Sequence, residues 1–260
     1  MKKNIYFIIL TLVTLLCMGI GICRQYTKSA SSGSTISKEQ GMEEISSLNV
    51  KGDVMELTIK AGTGYKVTYS CSQDLEPVIR NEQGHVTITQ KSKFVWFSPS
   101  SQNCKVTLEL PAETLLSTLY AEVDVGNITL ENIQADYAEL EADTGDLTLT
   151  DCTFQTLKTE DDLGNISAKQ SALGSATLNA DTGNVSLTSC SFANLTAEAD
   201  LGNVKIDSAT DLSDYSFDAK CDLGSISIQG TKQGDTHVTN GSGPYKLVLR
   251  ADTGNIQVDW

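Results

Sequence analysis

The sequence predicts an all-β protein, a β-solenoid with coils of about 19 residues, and two observations carry that prediction. The first is a short phrase, Asp-x-Gly-Asn-apolar-x-apolar, that returns seven times. Its copies begin at Asp124 (DVGNITL), Asp143 (DTGDLTL), Asp162 (DLGNISA), Asp181 (DTGNVSL), Asp200 (DLGNVKI), Asp222 (DLGSISI) and Asp252 (DTGNIQV). The first five copies are 19 residues apart, and the last two intervals lengthen to 22 and 30. Self-similarity at a fixed period of this length marks a repeat architecture. The second observation is strict alternation of apolar residues, as in Leu147/Leu149 and Val185/Leu187, which is the period of a half-buried strand. No proline interrupts the stretch between Pro111 and Pro244.

Each repeat must therefore hold two or three short strands joined by tight turns. At about 3.3 Å per residue the path is roughly 60 Å, enough for one narrow coil. Coils stacked about 4.8 Å apart align equivalent residues in columns. Leu147, Ile166, Val185 and Val204 should face inward together, as should Leu149, Ala168, Leu187 and Ile206, and a third set of Phe154, Leu173 and Phe192. One coil cannot bury its apolar face alone, so its neighbours complete the core.

The turn residues are the sites that this pattern singles out: Asp124, Gly126, Asp143, Gly145, Asp162, Gly164, Asp181, Gly183, Asp200, Gly202, Asp222, Gly224, Asp252 and Gly254. A glycine column calls for positive φ or close approach of stacked backbones. Each aspartate is expected to accept from the backbone N–H two residues on, an Asx-type turn. Asn127, Asp146, Asn165, Asn184 and Asn203 follow the glycines and can form a ladder of side-chain amides.

These phrases, preceded by VTLELPAETLLSTLYAEVDVGNITLENI (residues 106–133), resemble the putative-adhesin family of bacterial β-strand-repeat proteins. The resemblance runs from about Ile45 to Trp260. That family is a domain of unknown function that typically follows a signal or membrane anchor. The resemblance implies a right-handed parallel β-helix or a closely related solenoid, displayed on the cell envelope.

The flanking segments complete the organisation. Lys2 and Lys3 precede an uncharged run from Ile5 to Cys23, closed by Arg24. Its length suits a retained transmembrane helix, with secretion the outcome if the segment is cleaved instead. The positive start places the remainder outside the cell. The expected organisation is thus an anchor at 1–23, a flexible linker at 24–44 and a solenoid at 45–260. Within the solenoid, 45–119 form irregular capping coils and 120–260 the regular repeats. Phe94-Val95-Trp96-Phe97 is the one dense aromatic cluster and reads as an end cap or core packing.

The formal net charge is −14, and all 33 acidic residues follow Arg24. Such a surface repels nucleic acid and anionic lipid. Carboxylates stacked at coil spacing repel by roughly 1 kcal/mol per neighbour in water, which bound Ca²⁺ would relieve. The glycine-rich G-G-x-G-x-D repeat of Ca²⁺-binding rolls is absent, so no metal and no cofactor are expected.

Five of the seven cysteines lie outside the apolar run: Cys71, Cys104, Cys152, Cys190 and Cys221. Cys152 and Cys190 are 38 residues apart, two coils or about 9.6 Å, which is too far for a disulfide. They should be free and buried. The pairing of the other three stays open.

Nothing groups into a catalytic constellation. Asp161 and Asp162 are adjacent and must point to opposite faces of a strand. His85 and His237 lie in different regions, with no nucleophile motif nearby. The expectation is a non-enzymatic surface module, adhesin-like or structural, with the membrane and an unknown protein or glycan as partners. An accessory role in envelope-stress signalling and a carbohydrate-active enzyme are the alternatives.

Overall fold

The computed structural model describes residues 35–91 and 104–260. The expectations for the anchor at 1–23 and for the aromatic cluster at 94–97 lie outside the described residues. Among those residues no helix is long and apolar enough to cross a membrane. A single 3₁₀ turn (Gln73–Leu75) accompanies strands that join in one 21-stranded, solenoid-like sheet.

The regular part runs through β8 (Leu115–Val125), β9 (Ile128–Glu131), β10 (Gln134–Thr144), β11 (Leu147–Thr150), β12 (Thr153–Leu163), β13 (Ile166–Lys169), β14 (Ser175–Thr182), β15 (Val185–Cys190), β16 (Asn194–Leu201) and β17 (Val204–Ser208). The even-numbered strands stack in parallel, and so do the odd-numbered ones. Leu147 lies opposite Ile166, and Ile166 opposite Val185, so repeat-equivalent residues are neighbours. All three inward columns named from the sequence are buried. Removing each Val, Leu or Ile from water is worth about 1.5–3 kcal/mol, which explains why apolar placement is kept while identity varies.

A second corner of each coil uses a left-handed residue and no glycine. Asn132, Asp151, Gln170 and Ser189 recur every 19 residues with φ of 51–55°. One irregularity follows, where Cys190 pairs with Ser208 across a bulge.

Before the repeats come β1 (Thr35–Gly41), β2 (Ser47–Val54), β3 (Glu56–Gly62), β4 (Lys66–Ser72), β5 (Val78–Glu82), β6 (His85–Gln90) and β7 (Cys104–Pro111). β2 and β3 stack on β8 and β9, while β6 and β7 stack on the other side of β2 and β3. Antiparallel partners then close the end: β5 on β6, β4 on β7 and β1 on β4. Within the linker expected over 24–44, the part from residue 35 is corrected, because Thr35–Gly41 is a paired strand; residues 24–34 lie outside the described residues. The free edge of β4 offers a row of backbone donors and acceptors that a polar segment satisfies without needing apolar content.

After the repeats come β18 (Ser216–Ile228), β19 (Thr231–Lys232), β20 (Thr236–Thr239) and β21 (Lys246–Asp259). β21 inserts in parallel between β16/β17 on one side and β18 on the other. The seventh repeat thus stacks sixth, and the sixth lies outermost, covered by antiparallel β19 and β20.

Candidate functional surface

The repeat turns form one continuous ridge. At its centre a Cβ added to any of the seven repeat glycines would meet the backbone carbonyl of the neighbouring coil at 1.6–2.0 Å. Gly183 would strike the Gly164 oxygen at 1.6 Å, and its φ is also +155°. Close stacking is therefore the reason for the column, with positive φ added at Gly126, Gly145, Gly183 and Gly254.

The Asx-type turn expected at each aspartate is not what the backbone uses. The Gly126 N–H donates to the Thr144 carbonyl of the next coil at 2.8 Å, and Gly183 N–H to Leu201 at 3.0 Å. Inter-coil bonds satisfy these donors first, because stacked coils bring a carbonyl in line with each one. The aspartates at 124, 143, 162, 181, 200, 222 and 252 stand exposed as a column. A second column, Glu122, Glu141, Glu160, Asn179 and Glu198, acidic but for Asn179, runs beside it. Basic partners sit at the ends: Lys51 on Glu122, Lys220 on Asp222 at 2.6 Å, and Arg250 on Asp218 at 2.9 Å. Partial burial raises the carboxyl pKa of Asp124 and Glu141, and neighbouring carboxylates add to both shifts.

On the other flank the amide ladder is continuous. The Asn165 amide and backbone N–H both donate to Asp146 Oδ1, at 3.0 and 2.9 Å. Asn184 repeats the pattern on Asn165, Asn203 on Asn184 and Asn255 on Asn203. Ser225 Oγ closes the far end on Asn255, and Glu56 accepts from Asn127 at the near end. A shallow depression of about 530 Å³ lies beside this ladder, with Ser186, Lys205 and Gln257 on its wall.

Between the carboxylates and the glycines runs a column that sequence reasoning missed. In spatial order it reads Val125, Thr144, Leu163, Thr182, Leu201, Thr253, Leu223. The apolar members are 50%, 56%, 55% and 70% exposed. Large apolar side chains therefore project from every second coil, about 9.6 Å apart, along a strongly acidic ridge. The signal was present as the x of Asp-x-Gly, but chain order reads Leu201, Leu223, Thr253, and only the insertion of β21 restores the alternation.

No catalytic arrangement emerges among the described residues, and no three acidic, histidine or cysteine groups converge to hold a metal. Asp161 and Asp162 do point to opposite faces, the first 1% exposed and the second in solvent. Asp161 replaces the alanine that its column carries at 142, 180, 199 and 251, and both of its oxygens lack partners. Burial, reinforced by Asp146 and Asp162, pushes its pKa up to about 7. Such a carboxyl resembles a general acid in isolation. It is sealed in the core, beyond the reach of a substrate. His85 bonds Ser47 at the surface, and His237 packs edge-on to Phe217.

Stacked parallel coils joined in one solenoid-like sheet, with their turns aligned in a ridge, define a β-strand-repeat protein. The chain belongs to the Toastrack DUF4097 family, whose model matches residues 45–243. No curated protein matches it. A putative adhesin from Bacteroides fragilis shares the fold at a TM-score of 0.56 and 16% identity, over 87% of this chain and 98% of that one. A putative cell adhesion protein from Clostridium sporogenes aligns at a TM-score of 0.39 and 13% identity, over 87% of this chain and 99% of that one.

Proposed function

We propose that the protein is a non-enzymatic binding module of the bacterial cell envelope. In this reading the solenoid winds right-handed with coils of about 19 residues, and segment 1–23 holds it on the extracytoplasmic face of the membrane. The ridge is its binding surface, and the observation that carries the reading is the exposed apolar column at every second repeat, bordered by the aspartate column on one side and by the glycines and the amide ladder on the other. Exposed apolar groups set in a charged field are a recurrent mark of interaction surfaces. The partner that fits is a protein surface presenting basic groups around apolar ones. The adhesin name carried by the Bacteroides fragilis neighbour agrees with such a role.

The test is capture of envelope proteins on immobilised residues 35–260, whose strands share one core. Leu163→Lys with Leu201→Lys should abolish capture, and rising salt should weaken it, since exposed charges are screened within about 8–10 Å. Capture that survives both changes would remove the ridge from the proposal. Retention of a neutral glycan, indifferent to salt, would replace the protein partner with a carbohydrate.

A further inference from the structure

Two of the five cysteines outside the apolar run face each other. Cys71 on β4 and Cys104 on β7 are direct partners in the antiparallel register, and both side chains are about 1% exposed. Residues directly opposite in such a ladder have Cα atoms about 4.5 or 5.5 Å apart, inside the roughly 4.4–6.8 Å window of a disulfide. The two thiols are within hydrogen-bonding reach of one another, and Cys104 also approaches the Leu75 carbonyl at 3.6 Å. The other buried cysteines have no such arrangement. Cys152 and Cys190 are separated by a whole coil that carries Ser171 in the same column, and Cys221 Sγ donates to the Gly254 carbonyl.

We propose that Cys71 and Cys104 form a structural disulfide that ties the antiparallel cap to the first parallel coils. The oxidant is a disulfide of the envelope, either a small disulfide or a protein thiol oxidoreductase. One thiolate attacks the oxidant's S–S bond to give a mixed disulfide and one released thiol. The second thiolate displaces the remaining oxidant sulfur, forming the Cys71–Cys104 bond. Two S–H bonds and one S–S bond break, one S–S bond and two new S–H bonds form, and two electrons pass to the oxidant.

The setting also dictates when this happens. Burial raises the pKa of both thiols, that of Cys104 to about 12, so the folded pair holds little reactive thiolate. Oxidation must precede closure of β4 on β7, and once formed the bond is shielded from reductants. The link closes a loop containing β5, β6 and residues 92–103, so it limits the freedom of that segment in the unfolded chain.

The existence of the site and the location of the protein are tested separately. The full chain, reduced and denatured, is refolded in detergent with excess oxidised glutathione, then digested and mapped by mass spectrometry. A Cys71–Cys104 linked peptide is expected. Cys152→Ser with Cys190→Ser should keep it, and its melting temperature should drop by several degrees on reduction. Refolded protein with both thiols free, or a link between any other pair, overturns the proposal. In cells, acid-trapped protein is labelled with a maleimide-polymer before and after reduction. Here the inference rests on the envelope reading, because oxidising compartments sustain such bonds. Two thiols that appear only after reduction, and vanish in Cys71→Ser, support both. A pair that links on refolding but is free in cells keeps the site and overturns the extracytoplasmic location.

Discussion

At the scale of single residues, the ridge glycines and the buried carboxyl of Asp161 carry the sharpest consequences. Gly183→Val should destabilise the protein by about 3–5 kcal/mol, because a Cβ there collides with the Gly164 carbonyl and the backbone of two coils must separate. Ser186→Val, pointing outward between buried Val185 and Leu187, should change stability by no more than about 0.5 kcal/mol. Equal melting temperatures for the two variants would dismiss close stacking as the reason for the column. Asp161 gives a pH signature. Its folded pKa of about 7 lies above the unfolded value near 3.9, so the folded state retains a proton that the unfolded state has lost. Stability from this group is complete below about pH 4, falls as pH rises to 7, and is level beyond. Asp161→Ala, matching Ala142 and Ala180 in the column, should remove that slope and raise stability at pH 7.5 by about 4 kcal/mol. Melting curves at pH 4.5 and 7.5 measure it, and a variant less stable than the parent at pH 7.5 would refute the burial argument.

At the scale of the element, a repeat is held by three sets of columns: apolar side chains inside, backbone bonds from coil to coil, and the amide ladder outside. The aspartates belong to none of these. They stand exposed to solvent, with the adjoining backbone donors already bonded across coils, and Lys220 pairs with Asp222 at one end of the column. Excess Ca²⁺ and chelator should therefore give nearly the same melting temperature. A cation at 100 times its dissociation constant would add about 2.7 kcal/mol to the folded state, a shift of several degrees for a domain of this size. A rise of that order, abolished by Asp162→Asn with Asp181→Asn, would make the column a metal site.

Across the whole molecule, the order of stacking departs from the order of the chain at both ends. β2/β3 lie inside β6/β7, and β21 lies inside β18. Truncating a solenoid at its C-terminus ordinarily trims the last coil and leaves the rest intact. Here, a chain ending before Lys246 loses the layer between β16/β17 and β18, so β18, β19 and β20 should detach together. Hydrogen exchange should then show residues 216–239 unprotected and residues 115–188 as protected as in the parent. Protection that persists in β18 would mean that it can stack directly on β16.

The division between what was legible and what was not follows from what each kind of contact requires. The sequence by itself determined the repeat, its inward columns, the amide ladder and the freedom of Cys152 and Cys190. Each depends only on a residue and its equivalent 19 positions away, a relation the chain displays directly. The second corner was not legible, because Asn132, Asp151, Gln170 and Ser189 share a backbone conformation without sharing a residue type. The strand at Thr35–Gly41 was hidden because an edge strand is held by main-chain bonds that leave little pattern in side chains. Which backbone donors of the turns the neighbouring coils consume, which cysteines meet and which leucines alternate with threonine were decided by tertiary structure alone. Those outcomes depend on the antiparallel caps and the inserted β21, whose partners lie 30 to 52 residues away with no common period to announce them.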